Sequence, residues 1–190
     1  VLAREGGSRN NSVSLTVVAL GKLGGYELAH GSDLDLIFVY DDRSETTGED
    51  PDNAAERYAR AAQRVLRLLT LPHGDGPGYE LDTRLRPSGN QGLLVVSLRA
   101  FAQYHGHQGG KRRAAPWERQ ALLKARPLGA QTPFATTVAE TLRAIALADE
   151  PPDAGAMRAM REKMVRELYR PDEYRRDLKQ MPGGLVELAF

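Results

Sequence analysis

The sequence predicts an α+β fold: a small mixed sheet with flanking helices on one side, followed by a helical region. Three observations predict it. Strand-type runs are confined to the first half of the chain, apolar periods of 3.6 residues dominate the second half, and clusters of glycine and proline separate the segments.

The elements follow in order. Val13, Leu15 and Val17 alternate with Ser14 and Thr16, and the run Val18, Ala19, Leu20 continues as a strand becoming fully buried. Gly21, Gly24, Gly25 and Gly31 enclose the segment YELAH, long enough for a helical turn or two. Residues 33–40, DLDLIFVY, read as a second strand, acidic only at its start, and residues 41–50 as an exposed polar loop. Pro51 suits the first position of a helix. Ala55, Tyr58, Ala59, Ala62, Val65, Leu66 and Leu69 then keep a helical period. Pro72, Gly74, Gly76, Pro77 and Gly78 end it. Residues 79–86, YELDTRLR, predict a third strand whose alternation puts Glu80, Asp82, Arg84 and Arg86 on one face, with Pro87 and Gly89 closing it. Ser97 is placed to cap a helix carrying Leu98, Phe101 and Tyr104. Residues 106–115, GHQGGKRRAA, read as a basic flexible insertion. Helices are expected over 116–126 and 133–148, and Met157, Met160, Met164 and Leu168 mark the stripe of a last one. These elements divide into a linker over 1–12, a catalytic core over 13–130 and a helical extension over 131–190. Val1 and the apolar run into Phe190 read as cuts through a longer chain.

Composition narrows the function classes. A chain of 190 residues suits one compact domain with helical attachments, and 41% hydrophobic with 27% charged residues is ordinary for a globular protein. A formal net charge of +1 does not advertise nucleic acid or an acidic membrane. No apolar run is long enough to span a bilayer, and residues 1–12 lack the apolar core of a signal peptide. The absence of cysteine excludes disulfides and thiolate metal sites and accords with a cytoplasmic location.

Chemistry concentrates at the start of the second strand. Asp33 and Asp35 are one residue apart, so period two aims both carboxylates at one point, an arrangement that repels itself unless a cation joins it. Magnesium suits such a pair because it takes oxygen ligands and shares its shell with phosphates. Upstream, Gly24 and Gly25 are expected to lead into a short helix with backbone N–H groups free for phosphate oxygens. Ser32 adds a hydroxyl and Lys22 a counter-charge. Asp82 is a third carboxylate, able to converge with the other two if its strand pairs beside 33–40, with Arg84 and Arg86 meeting phosphate charge. Each feature alone has a plain reading: Asp-x-Asp as a solvated strand end, GKLGG as a loop, Asp82 as an ion-pair partner of its arginines. Their occurrence together and in this order is what points to a phosphate-and-metal site. His30, His73, His105 and His107 show no zinc-ligand spacing and read as surface or packing residues.

The stretch GKLGGYELAHGSDLDLIFVY resembles the signature of the glutamine synthetase adenylyltransferase family, a branch of the polymerase-β-like nucleotidyltransferases. YELDTRLRPSGNQGLLVVS, WERQALLKAR and DLKQMPGGLVELAF follow in the family's order, so the resemblance covers residues 13–190. It implies a polymerase-β-like fold and magnesium-dependent adenylyl transfer from ATP to a tyrosine of glutamine synthetase. It also implies a related unit that removes the group by phosphorolysis, and control through a PII-type signal protein acting on other domains. It places metal-binding and catalytic roles on Asp33, Asp35 and Asp82, and nucleotide binding on Gly24, Gly25, Ser32, Arg84, Arg86 and Lys124. Trp117 and Glu118 match a Trp-Glu pair opening a helix, where Trp117 reads as a packed aromatic. Lys124 and Arg126, one to two turns past the Trp-Glu pair, either reach the nucleotide or stand in solvent. Lys179 with Gly183 and Gly184 matches a final motif read as a junction to a helical domain. The chain departs from the family at Ala189, where an acid is usual (Glu187 keeps one nearby), and in its longer basic insertion.

The RPSG form at Arg86–Gly89 and the WERQAL wording favour the adenylylating unit over the adenylyl-removing one. A non-catalytic nucleotide sensor would have no reason to keep all three acids. Polymerisation of nucleic acid would need a binding stripe beyond Lys111–Arg113.

Overall fold

A computed structural model describes residues 15–42, 51–74, 76–87, 89–107, 113–129, 132–148, 153–172, 174 and 176–188. The expected linker 1–12, most of the loop 41–50, Lys111 in the basic insertion and Ala189 lie outside the described residues.

The sheet is built around one strand. β1 (Leu15–Ala19) and β2 (Leu34–Tyr40) are antiparallel, registered from Leu15 opposite Tyr40 to Ala19 opposite Leu36. The far edge of β2 carries two short parallel strands in succession. β3 (Leu81–Asp82) lies beside its start and β4 (Val95–Ser97) beside its end. β5 (Arg126–Leu128) closes the other edge, antiparallel to β1. The sheet is therefore small and mixed, as expected.

Alternation along β1 and β2 fills both faces. Leu15 and Phe38 point to one face, where they pack with Val95 and with Ala62 of α2 (Pro51–Thr70). Val18, Leu20, Ile37 and Val39 point to the other, against α3 (Leu98–Tyr104) and α5 (Pro133–Ala146) through Phe101, Phe134, Val138, Leu142 and Ile145. The helices thus cover both faces, which corrects the expectation of helices on one side. The reason is visible in the strands: a run such as Leu36–Val39, at most 2% exposed, has apolar residues for both faces.

Several elements differ from the sequence reading. The short helix near the glycines is α1 (Gly21–Gly24), ahead of YELAH and not within it. The third strand spans two residues, not eight, because the Asp82 carboxylate accepts the Arg84 backbone N–H at 2.8 Å and turns the chain. β4 and β5 are strands the sequence did not announce. The helix expected over 116–126 splits into α4 (Pro116–Ala121), a 3-10 turn over 122–124 and then β5. Pro127 explains the break, since Arg126 before it is pushed out of helical backbone and an edge strand tolerates a missing N–H.

The expected cap at Ser97 holds, and two further helices are capped the same way. Ser97 accepts the Ala100 N–H at 3.1 Å at the start of α3. Thr132 does the same for α5, and Asp153 for α6 (Ala154–Leu168). The methionine stripe of α6 is half-buried, and the one buried side chain of that helix is Arg161. Its guanidinium donates to the Gln180 and Met181 carbonyls and pairs with Glu187, so it ties the C-terminal turns to α6. No helix among the described residues is long and apolar enough to cross a membrane.

Candidate active site

The acidic site forms where β2 begins. Asp35 is the register partner of Asp82 on parallel β3, so the two side chains stand on the same face of the sheet, and Asp33 lies one pleat before Asp35. Asp33 and Asp82 line an open cavity of about 300 Å³ with Glu80, Leu81, Thr83 and Arg84. Partial burial pushes the Asp35 carboxyl above its ordinary value of 3.8, and the charges of Asp33 and Asp82 push it further; Lys179 and Arg84 oppose them. Asp82 is held in the other direction. The Arg84 guanidinium hydrogen-bonds both its oxygens, 3.0 and 2.9 Å from Nε, and lowers its pKa.

Around this edge the glycine passage does something different from the cradle expected of it. The N–H groups of Gly24 and Gly25 donate to the carbonyls of Leu20 and Gly21 at 2.8 and 3.0 Å, closing α1, so they are not free for phosphate. What Gly24 supplies is room: a Cβ there would lie 2.1 Å from the Lys124 carbonyl oxygen. Gly21, which the sequence reading did not single out, backs the site. It holds φ +50, and a Cβ on it would fall 2.2 Å from Asp35 Oδ2. Ser32 sits between Lys22 and the acids; its hydroxyl accepts from Lys22 Nζ at 3.4 Å and from the Ala29 N–H at 3.1 Å.

The cations fall into three roles. Arg84 is exposed and turned onto Asp82. Arg86 is 7% exposed and donates to the Thr83 and Leu93 carbonyls, pinning the excursion between β3 and β4. The shared face expected for Glu80, Asp82, Arg84 and Arg86 therefore does not form, because the strand has ended. Lys124 pairs with Glu27 at 2.9 Å, and Arg126 donates to the Leu23 and Gly24 carbonyls. Glu118 accepts the Ala115 N–H and the Tyr104 hydroxyl; burial first, and then this bond to Glu118, raise the Tyr104 pKa to about 12. Trp117 is half-buried. His105 is buried against Phe101 and Tyr104, a packing residue as expected. Lys179, read as part of a junction, lies close enough to the acids to act on Asp35, on a turn where Asp177 accepts its N–H at 3.0 Å.

The donor chemistry fits a hard divalent cation, since every candidate ligand is a carboxylate oxygen. Among the described residues, however, no three such side chains are arranged as a metal-holding group. The ion pair with Arg84 occupies Asp82, so Arg84 competes with a cation for the third carboxylate.

The sequence is similar to known proteins. The sequence profile of the glutamate-ammonia ligase adenylyltransferase family matches residues 3–141. The chain is 41% identical over 179 residues to a protein of Thioalkalivibrio sulfidiphilus named bifunctional glutamine synthetase adenylyltransferase/adenylyl-removing enzyme, covering 92% of this chain and 18% of that protein. It is 43% identical over 182 residues to a protein of the same name from Methylococcus capsulatus, with 92% and 18% covered. A third relative of that name, from Shewanella loihica, is 40% identical over 188 residues, 94% of this chain and 19% of its own length. The chain spans about a fifth of the curated relatives it matches.

Proposed function

The chain belongs to the glutamate-ammonia ligase adenylyltransferase family, and from that premise we propose that it transfers an adenylyl group from ATP to a tyrosine hydroxyl of glutamine synthetase. The observation that carries the reading is the register of Asp35 against Asp82 beside Asp33, within a stretch that the family profile covers. The short parallel and antiparallel strands around β2, with acids at its mouth, accord with a polymerase-β-like nucleotidyltransferase core, working in the cytoplasm.

Asp33 and Asp35 would hold magnesium, with Asp82 as the third ligand in competition with Arg84. When bound, the ion would neutralise phosphate charge and the crowding of the carboxylates. Gly21 leaves the Asp35 carboxylate space that any side chain would take. Lys22 and Ser32 face the phosphates as donors, and Lys179 adds a cation. The acceptor oxygen bonds to the α-phosphorus, the bond to the β-phosphate oxygen breaks, pyrophosphate leaves, and the hydroxyl proton passes to a carboxylate of the trio or to solvent. Positioning and charge stabilisation dominate such transfers.

The names of the relatives pair this activity with adenylyl removal. The RPSG and WERQAL forms favour transfer over removal. Control by a PII-type protein would act through other parts of the protein. The test uses ATP labelled at the α-phosphate, magnesium and unmodified glutamine synthetase. Label is expected on glutamine synthetase with the intact chain and not with Asp35→Asn. No label, with ADP released from adenylylated glutamine synthetase and phosphate, would reassign the chain to removal.

A further inference from the structure

We propose that the exposed ring of Tyr26, backed by the Arg126 guanidinium, is the platform on which the purine base of the nucleotide stacks. The inference rests on the reading above that the acidic site takes a nucleoside triphosphate.

Tyr26 is anomalous in two ways at once. It holds φ +60, the only positive φ at a non-glycine residue among those described, a conformation that costs about 1 kcal/mol or more for a residue with a Cβ. Such strain is normally offset by packing, yet the ring is 81% exposed. The backbone is held in place from several directions instead. The Glu27 N–H donates to the Lys22 carbonyl at 2.7 Å, and Lys124 pairs with the Glu27 carboxylate. Arg126 donates to the carbonyls of Leu23 and Gly24 at 2.9 and 3.0 Å. These bonds fix the guanidinium, which lies 3.8 Å from the centre of the Tyr26 ring. One ring face is thereby covered by a cation and the other is left to solvent. A rigid, one-sided aromatic surface is what a flat base needs.

Position links the platform to the acids. Tyr26 belongs to the excursion between Gly21 and Ser32, and both ends of that excursion stand at the site: Gly21 against the Asp35 carboxylate, Ser32 next to Asp33. α1 rises only about 6 Å over its four residues. The platform requires one nucleotide to span from phosphates at Asp33 and Asp35 to the ring. Stacking tolerates any base but rewards the larger purine surface, so the platform fits ATP over a pyrimidine nucleotide.

The test compares binding of ATP, CTP and inorganic tripolyphosphate, each with magnesium, by calorimetry on the 190-residue chain and its variants. Tyr26→Ala should weaken ATP roughly tenfold or more and narrow the ATP/CTP difference, while tripolyphosphate binds as before. Tyr26→Phe should bind ATP like the parent. Unchanged ATP affinity in Tyr26→Ala, or tripolyphosphate weakened in the same proportion, would overturn the platform. Loss of ATP affinity in Tyr26→Ala from a parent chain that transfers no label to glutamine synthetase would keep the platform and retire the transferase reading. A parent chain that binds no ATP would overturn both.

Discussion

Asp35 sets stability against function. Burial and two neighbouring carboxylates raise its folded pKa above the ordinary 3.8, so the fold favours the protonated side chain. Its contribution is fully present below the unfolded value and is lost as the pH rises through the folded one. At neutral pH the ionised group therefore destabilises the apo chain. Asp35→Asn should raise the melting temperature near pH 7 while removing activity. The gain should shrink to nothing as the pH falls below 3.8. Thermal melts of both proteins between pH 3 and 8 would check it, and a stability loss at pH 7 would contradict the assigned field. Asp33 and Asp35 were legible as a pair because the Asp-x-Asp spacing fixes a shared face, and Asp82 joined them only on the condition, met by the register of β3 beside β2, that its strand pair there. The fates of Arg84 and Arg86 were not, because they depend on a strand ending at Asp82 through a side-chain turn that hydrophobic alternation cannot show. The nearness of Lys179 to the acids escaped for another reason: nearly a hundred residues separate it from Asp82, and its turn is anchored by long-range bonds such as those of Arg161.

At the scale of elements, the site depends on how closely α1 approaches the 3-10 turn over 122–124 that leads into β5. Gly24 makes that approach possible, with the Lys124 and Ala19 carbonyl oxygens 2.1 and 2.9 Å from where a Cβ would stand. Both are backbone atoms, so no rotamer change relieves the clash. Gly24→Ala should cost about 2 kcal/mol or more and push β5 away from the α1 loop. Hydrogen exchange at the Leu128 and Val17 amides, where the two strands pair, should accelerate in the variant. Protection equal to the parent's would show that the loop yields and the strand does not. This contact also explains an error of expectation. A glycine pair after a strand reads as a phosphate cradle when only sequence is in view, and the structure spends those amides on closing a four-residue helix. α2, with its long apolar period, and α3, with its Ser97 cap, were legible since their signals are local. β4 and β5, three residues each, were not, since strands that short are defined by their partners.

The whole described molecule hangs on β2, which contributes Phe38 to the α2 face and Ile37 and Val39 to the face under α3 and α5. Two apolar clusters that share a strand cannot come apart independently, because losing either exposes one side of the same backbone ladder. Phe38 is fully buried, so Phe38→Ala should cost about 3–5 kcal/mol, ~6–20 °C in a protein of this size. Trp117, the single tryptophan, lies in α4, outside the cluster that Phe38 anchors. Its fluorescence therefore reports on a distant part of the chain. If the fold is cooperative through β2, tryptophan emission and far-ultraviolet circular dichroism should lose structure at one lowered midpoint in the variant. A tryptophan transition left at the parent's temperature would mean that the α4 side folds without the α2 face, and that the acids at the mouth of β2 are held by one cluster alone.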